Sequence, residues 1–266
     1  MNQTNPDLTP LHTLNPLSRF SDRAEDYVKS RPSYPAEAID IILAGLEPPS
    51  QLVAADIGAG TGISSRLLAE RGASVIAIEP NPAMREAAAP HPKVEFRDGT
   101  AELTHLSDSS VDLVTCFQAF HWFKPEPTLS EFRRILKCSG RLALVWNNRD
   151  QTDEFTAEYS RLIRIASNNH PGESKMKSEE PLFTSPHFSN IREYSFVNTQ
   201  QLDLTGLISR AMSSSYIPRE GVAQQELISG LQELYQRFRD QQGFVYFAYE
   251  TSVHLAQPKV QIDLGS

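Results

Sequence analysis

Three glycines at alternate positions follow an aspartate in the string Asp56-Ile-Gly-Ala-Gly-Thr-Gly62. Glycine lets a backbone turn sharply and lets a ligand come close to it. The apolar run Leu52 to Ile57 predicts a strand before the loop, and the pattern from Ile63 to Arg71 predicts a helix after it. The start of that helix offers free N–H groups and partial positive charge to an anion. Glu79 closes the next apolar run, Ser74 to Glu79, about 20 residues beyond the loop, where a carboxylate can accept both hydroxyls of a ribose. Together these residues point to a nucleoside cofactor. The spacing Gly58, Gly60, Gly62 is not the Gly-x-Gly-x-x-Gly that cradles a dinucleotide pyrophosphate, so the residues alone leave the cofactor open.

Further chemistry belongs to the loops that such a sheet presents at its carboxyl edge. His121, just past the run Val111 to Phe117, is a candidate general base, because histidine as a residue type ordinarily titrates near neutrality. It is equally read as a packed, hydrogen-bonded loop anchor. Trp122 and Phe123 beside it could form an apolar wall or a face toward a cation. Arg31, between Tyr27 and Tyr34 and downstream of Phe20, suits a carboxylate grip, on either cofactor or substrate. Ser213-Ser-Ser-Tyr216-Ile-Pro218 is read as a lid carrying Tyr216, or as a simple turn between helices. The two cysteines, Cys116 and Cys138, have no partner at metal-ligand spacing. They are expected to be buried free thiols in a reducing compartment, and no metal site is expected.

The elements that must position these groups alternate. Strands are predicted at Leu52–Ile57, Ser74–Glu79, Val94–Arg97, Val111–Phe117 and Arg141–Trp146, with helices at Ile63–Arg71, Pro82–Ala89 and Pro127–Lys137 between them. Apolar runs separated by helices imply a parallel sheet covered on both faces. After Asn148 the rhythm changes: helix Asp153–Asn169, strand Ile191–Asn198, helices Leu202–Met212 and Arg219–Gln241, then strand Phe244–Leu255. This half reads as two closing strands with a helical insertion between them. Ahead of the loop, helical pattern starts near Asp22 and resumes at Ala36–Leu46. The predicted fold is α/β: a Rossmann-like, mostly parallel seven-stranded sheet with an N-terminal helical cap and a late helical insertion. Residues 1–18 read as a tail and 19–266 as one domain. That domain divides into cap helices at 19–50, a cofactor-binding core at 51–148 and a substrate side at 149–266.

Composition narrows the partners. The chain has 266 residues, 39% hydrophobic and 22% charged, with a net charge of −8. A general phosphate-backbone binder needs a basic surface, so nucleic acid is not expected. No apolar stretch approaches the about 18 residues of a membrane span, and the N-terminus lacks a signal-peptide pattern. A cytoplasmic enzyme, monomeric or weakly dimeric, acting on a small molecule is the expectation.

The ordered motifs carry a family resemblance. Val53-Ala-Ala-Asp-Ile-Gly-Ala-Gly-Thr-Gly62 resembles the first motif of class I methyltransferases, and Ala77-Ile-Glu-Pro-Asn-Pro-Ala-Met84 resembles their second. Arg97-Asp-Gly-Thr-Ala-Glu102 resembles their third-strand loop, and Val111-Asp-Leu-Val-Thr-Cys-Phe-Gln118 their fourth strand. The likeness spans roughly 20 to 148. It is strongest to the small-molecule branch of trans-aconitate and ubiquinone-biosynthesis-like methyltransferases, in which Gln118-Ala-Phe-His-Trp-Phe123 is a frequent string and an Arg-Pro-x-Tyr-Pro segment precedes the glycine loop. The resemblance implies S-adenosyl-L-methionine as cofactor. Asp56 and the backbone of Gly58, Ala59, Gly60, Thr61 and Gly62 would hold its methionine end, and Glu79 its ribose. Pro80, Met84, Gly99, Thr100 and Ala101 would meet the adenine, although many relatives are acidic where Thr100 stands. Phe117 and Gln118 would lie beneath the sulfonium. The implied reaction is methyl transfer to an oxygen, carboxylate or hydroxyl, of a small acceptor. The competing readings are a nucleotide-dependent oxidoreductase and a methyltransferase-like protein that binds cofactor without turnover.

Overall fold

A computed structural model describes residues 31–170 and 179–259. Phe20, Tyr27, the helical pattern near Asp22 and the expected tail lie outside the described residues.

Seven strands form one sheet in the order β3-β2-β1-β4-β5-β7-β6. They are β1 (Val53–Ile57), β2 (Ser74–Ile78), β3 (Val94–Arg97), β4 (Val111–Phe117), β5 (Leu136–Arg149), β6 (Phe188–Leu202) and β7 (Val245–Pro258). The pairs β1–β2, β2–β3, β1–β4 and β4–β5 are parallel, and β7 runs antiparallel to both β5 and β6. The helices are α1 (Ala36–Leu43), α2 (Ile63–Glu70), α3 (Pro82–Glu86), α4 (Pro125–Ile135), α5 (Glu154–Ala166), α6 (Glu180–Phe183), α7 (Leu204–Met212) and α8 (Val222–Phe238). Because α7 and α8 lie between β6 and β7 in sequence, the late insertion is where the sequence predicts it.

Alternating side chains divide the central strands between two apolar layers. Ala55, Ile57, Val114, Cys116, Leu142, Leu144 and Trp146 pack with Leu129, Phe132 and Ile135 of α4. Ala54, Leu113, Phe117, Ala143 and Val145 pack with Ala38, Ile39 and Ile42 of α1 and Leu68 of α2. With both faces buried, most successive strand residues are apolar, as parallel sheets favour, with Asp56 of β1 and Thr115 of β4 as buried polar exceptions. A third cluster joins α5, α7 and α8 to the start of β7 through Phe155, Leu207, Leu231 and Phe247.

Local signals set the helix starts. Asn81 accepts from the Ala83 N–H at 3.0 Å ahead of Pro82, and Asp153 and Asp203 cap α5 and α7 through the Thr156 and Gly206 N–H groups. Two predicted features are corrected. Strands β5 and β6 are far longer than Arg141–Trp146 and Ile191–Asn198: β5 begins beside β4 at Val111↔Leu136 and runs along β7 as far as Arg149↔Tyr249, and β6 follows β7 from Phe188↔Pro258 to Leu202↔Val245. Cys138 is exposed rather than buried, because α4 ends at Ile135 and the chain passes straight into β5. Cys116 is buried, and burial raises its thiol pKa well above the usual value.

Candidate functional site

The glycine loop leaves β1 in left-handed steps, with φ of 69° at Gly58, 57° at Gly60 and 74° at Gly62. At Gly58 a Cβ would stand 2.7 Å from Ala119 Cβ and 2.9 Å from Phe123 Cζ. That glycine therefore lets the segment after β4 close down on the loop. Beneath the loop lies Asp56, which has no exposed surface. Its carboxylate accepts from Ser64 at 2.7 Å, Ser65 at 2.6 Å and Thr115 at 2.9 Å. It thus joins β1, β4 and the first turn of α2. Its oxygens accept from these three hydroxyls, so it braces the loop from below. Burial raises its pKa, and the three hydrogen bonds oppose that shift.

Glu79 sits at the end of β2 and is nearly buried. One carboxylate oxygen accepts from the Gly60 N–H and the other from the Asn81 N–H, both at 2.9 Å. It thereby clamps the glycine loop to the β2–α3 turn. Desolvation raises its pKa, partly offset by the two amides and by Arg85.

A narrow cleft, partly open to solvent, runs along the loop. It brings together Arg31, Tyr34, Gly58, Ala59, Thr61, Phe117 and Gln118, all singled out by sequence, and adds Arg210 from α7. Two buried side-chain oxygens on this cleft, Thr61 Oγ1 and Gln118 Oε1, have no hydrogen-bond partner among the described residues. Buried polar atoms are normally paired, so a polar ligand seated here would satisfy both. Gln118 is held in place from behind: its backbone takes φ of 53°, its N–H donates to Val145 O at 2.9 Å, and its Nε2 donates to Asn147 O at 2.8 Å. A left-handed non-glycine residue at a strand end is a mark of functional sites. Tyr34 packs edge-on against Phe117 with ring centroids 4.6 Å apart.

Asn147 gathers distant segments behind the cleft. Its Nδ2 donates to Ser33 O at 3.1 Å, and its Oδ1 accepts from Thr251 at 2.5 Å and Asn198 at 3.2 Å. Arg31 donates to Ser213 O at 3.2 Å, so the two segments read as possible closing elements meet.

Other expected site residues stand apart from this cleft. Met84, Gly99 and Ala101 are buried, and Pro80 and Thr100 half-buried, around the end of β2 and the loop after β3. Tyr216 stacks on His170 with ring centroids 5.5 Å apart. His121 lies in a short 3-10 turn, Phe120–Trp122, that the sequence did not reveal. It is buried, its ring lies 5.2 Å from Trp122, and its Nδ1 accepts from Trp146 Nε1 at 3.3 Å. Burial, and secondarily the charge of Arg31, lower its pKa to about 3. A neutral imidazole of such low basicity is a poor proton acceptor near neutral pH.

Residues 55–144 match the family model described as a methyltransferase domain. An uncharacterised methyltransferase of Mycobacterium tuberculosis is 35% identical over 198 residues, covering 74% of this chain and 76% of the relative. The chain belongs to the class I S-adenosylmethionine-dependent methyltransferases. A candidate type II methyltransferase from Anaeromyxobacter dehalogenans shares the fold at a TM-score of 0.64 and 22% identity, covering 85% of this chain and 97% of that one. Phosphoethanolamine N-methyltransferase 2 of Haemonchus contortus, solved with phosphomonomethylethanolamine and S-adenosylhomocysteine, gives a TM-score of 0.54 at 15% identity, over 95% of this chain and 61% of that one. Family membership decides against the oxidoreductase reading. No helix among the described residues of this methyltransferase is long and apolar enough to cross a membrane.

Sequence reasoning missed the charged residue that α7 brings to the methyltransferase cleft, Arg210. A single arginine on an amphipathic helix reads as part of its solvated face. Here α7 turns it inward, leaving it 5% exposed. No neighbouring motif signals that inversion.

Proposed function

We propose that this methyltransferase binds S-adenosyl-L-methionine on the glycine loop and transfers its methyl group to a carboxylate oxygen of a small-molecule acceptor. The observation that carries the reading is the cleft floored by Gly58, Ala59 and Thr61, with its unpaired Thr61 and Gln118 oxygens and Glu79 clamped behind the loop.

When bound, S-adenosyl-L-methionine supplies an already activated methyl group, which passes to the acceptor oxygen as the carbon–sulfur bond breaks and S-adenosylhomocysteine is left. The chain's own task is alignment and exclusion of water. The loop amides and Arg31 hold the carboxylate-bearing end of the cofactor, and Glu79 shares its oxygens between Gly60, Asn81 and the ribose. Phe117 and Tyr34 form the apolar side, and Gln118 offers its amide oxygen to the ligand. Pro80, Met84, Gly99, Thr100 and Ala101 surround the adenine, and Trp122 borders the acceptor. A carboxylate acceptor is ionised at neutral pH and needs no base. The low basicity of His121 favours that acceptor over an alcohol, and assigns His121 to positioning through Trp146.

The test is incubation with methyl-labelled cofactor and a panel of small carboxylic acids and alcohols, with mass spectrometry of the products. Base-labile methyl esters are expected. Labelled ethers, or cofactor binding without any transfer from a full metabolite extract, would overturn the carboxylate reading.

A further inference from the structure

Arg210 has an unusual setting for a cation. It is 5% exposed, it lines the cleft beside Gln118 and Thr61, its side chain is hydrogen-bonded to Tyr249, and its Nε has no hydrogen-bond partner among the described residues. Among the described residues it makes no ion pair. Its electrostatic neighbours are Tyr249, Tyr159 and a second cation, Arg149, rather than a carboxylate. Burial disfavours its charge and the tyrosine hydroxyls support it, so it stays cationic. A buried guanidinium without a counter-ion is costly to a fold, and apolar replacements of buried charges often stabilise. Such a charge in a cleft points to an anionic ligand.

Its position says which ligand. The glycine loop and Glu79 lie on the β1–β2 side of the sheet. Arg210 approaches from α7, and Tyr159, Tyr249 and Arg149 belong to α5, β7 and β5. The cofactor's own carboxylate has Arg31 and the loop amides. We propose that Arg210 is the anchor for a carboxylate on the methyl acceptor, and that this charge determines acceptor specificity. The planar guanidinium suits a bidentate grip on that group. The inference rests on the reading of the cleft as the methyl-transfer site.

The test uses Arg210→Met, which keeps much of the shape and removes the charge, and Arg210→Lys, which keeps the charge and loses the fork. Citrate and malonate serve as carboxylate probes, malonamide as the uncharged control and inorganic phosphate as the rival anion, all at fixed ionic strength, with and without S-adenosylhomocysteine. Citrate or malonate is expected to raise the melting temperature of the wild type. Its binding should weaken by about tenfold or more in Arg210→Met and less in Arg210→Lys. Unliganded Arg210→Met should melt no lower than wild type. The source of the anion is separated by comparing S-adenosylhomocysteine with 5′-methylthioadenosine, which lacks the carboxylate-bearing tail. Their affinity ratio should survive in Arg210→Met. A collapsed ratio with intact citrate binding would place the cofactor's carboxylate on Arg210 and overturn the proposal. So would phosphate binding without carboxylate binding, or unchanged citrate binding in a variant that merely melts earlier. If Arg210→Met does not fold, Arg210→Lys decides: severalfold weaker citrate binding supports the proposal and unchanged binding overturns it. Arg210-dependent citrate binding in a wild type that ignores S-adenosylhomocysteine would uphold the anion seat and refute the cofactor reading instead.

Discussion

Glu79 and His121 show how burial gives two ionisable residues different tasks. Glu79 already accepts two backbone N–H groups, so its loss both removes a ribose acceptor and leaves amides without a partner. Glu79→Ala should weaken S-adenosylhomocysteine binding by about 1–3 kcal/mol, measurable by calorimetry. Unchanged affinity would show that the carboxylate serves the loop alone. His121 offers a pH test. Its folded pKa of about 3 lies below the ordinary 6.5, so the unfolded chain takes up the proton first as pH falls. Stability from this group is present above about pH 6.5 and is lost as pH drops toward 3, at about 1.4 kcal/mol per unit within that window. Asp56 and Glu79, whose folded pKa values are raised, act in the opposite sense, so the informative quantity is the difference between proteins. His121→Gln, which keeps an acceptor for Trp146, should show a shallower loss of urea stability between pH 7 and pH 4.5 than wild type. Identical slopes would mean that His121 takes up its proton without opposition in the fold.

At the scale of elements, the glycine loop works only because three pieces meet at it. Gly58→Ala would force a Cβ toward Ala119 and Phe123 in a backbone conformation that suits glycine. A loss of about 1–3 kcal/mol of stability by denaturant titration and a weakened S-adenosylhomocysteine affinity are expected. A variant that binds normally would sink the loop assignment. The loop was readable because its glycines, its flanking apolar run and Glu79 are all local signals at fixed spacing. The central strands were readable because two-sided burial makes them continuous apolar runs. The ends of β5 and β6 were not, since residues such as Asn147, Asn148 and Gln200 are strand residues only by virtue of their partners on β7. The turn at Phe120–Trp122 and the inward face of α7 were hidden for the same reason: tertiary contact, rather than local preference, decides them.

Taken as a whole molecule, the cleft draws on segments far apart in the chain, from Arg31 to Arg210. Asn147 is buried and joins Ser33, Thr251 and Asn198 while its carbonyl accepts from Gln118. Asn147→Ala would leave several of these groups unpaired, so it should lower the melting temperature and weaken S-adenosylhomocysteine binding together. Loss of stability with intact binding would separate the knot from the site. The same knot has a consequence for the order of folding. The Asn147–Ser33 and Asn198–Ser33 bonds close loops of 114 and 165 residues. Contacts so distant along the chain form late, because loop closure must precede them. The glycine loop can assemble while the β6–β7 pairing is still unmade, yet the knot of Asn147, Asn198 and Ser33 behind it cannot. In a refolding experiment the far-ultraviolet signal should therefore return ahead of ligand binding, and competence to bind should appear only with the slowest phase.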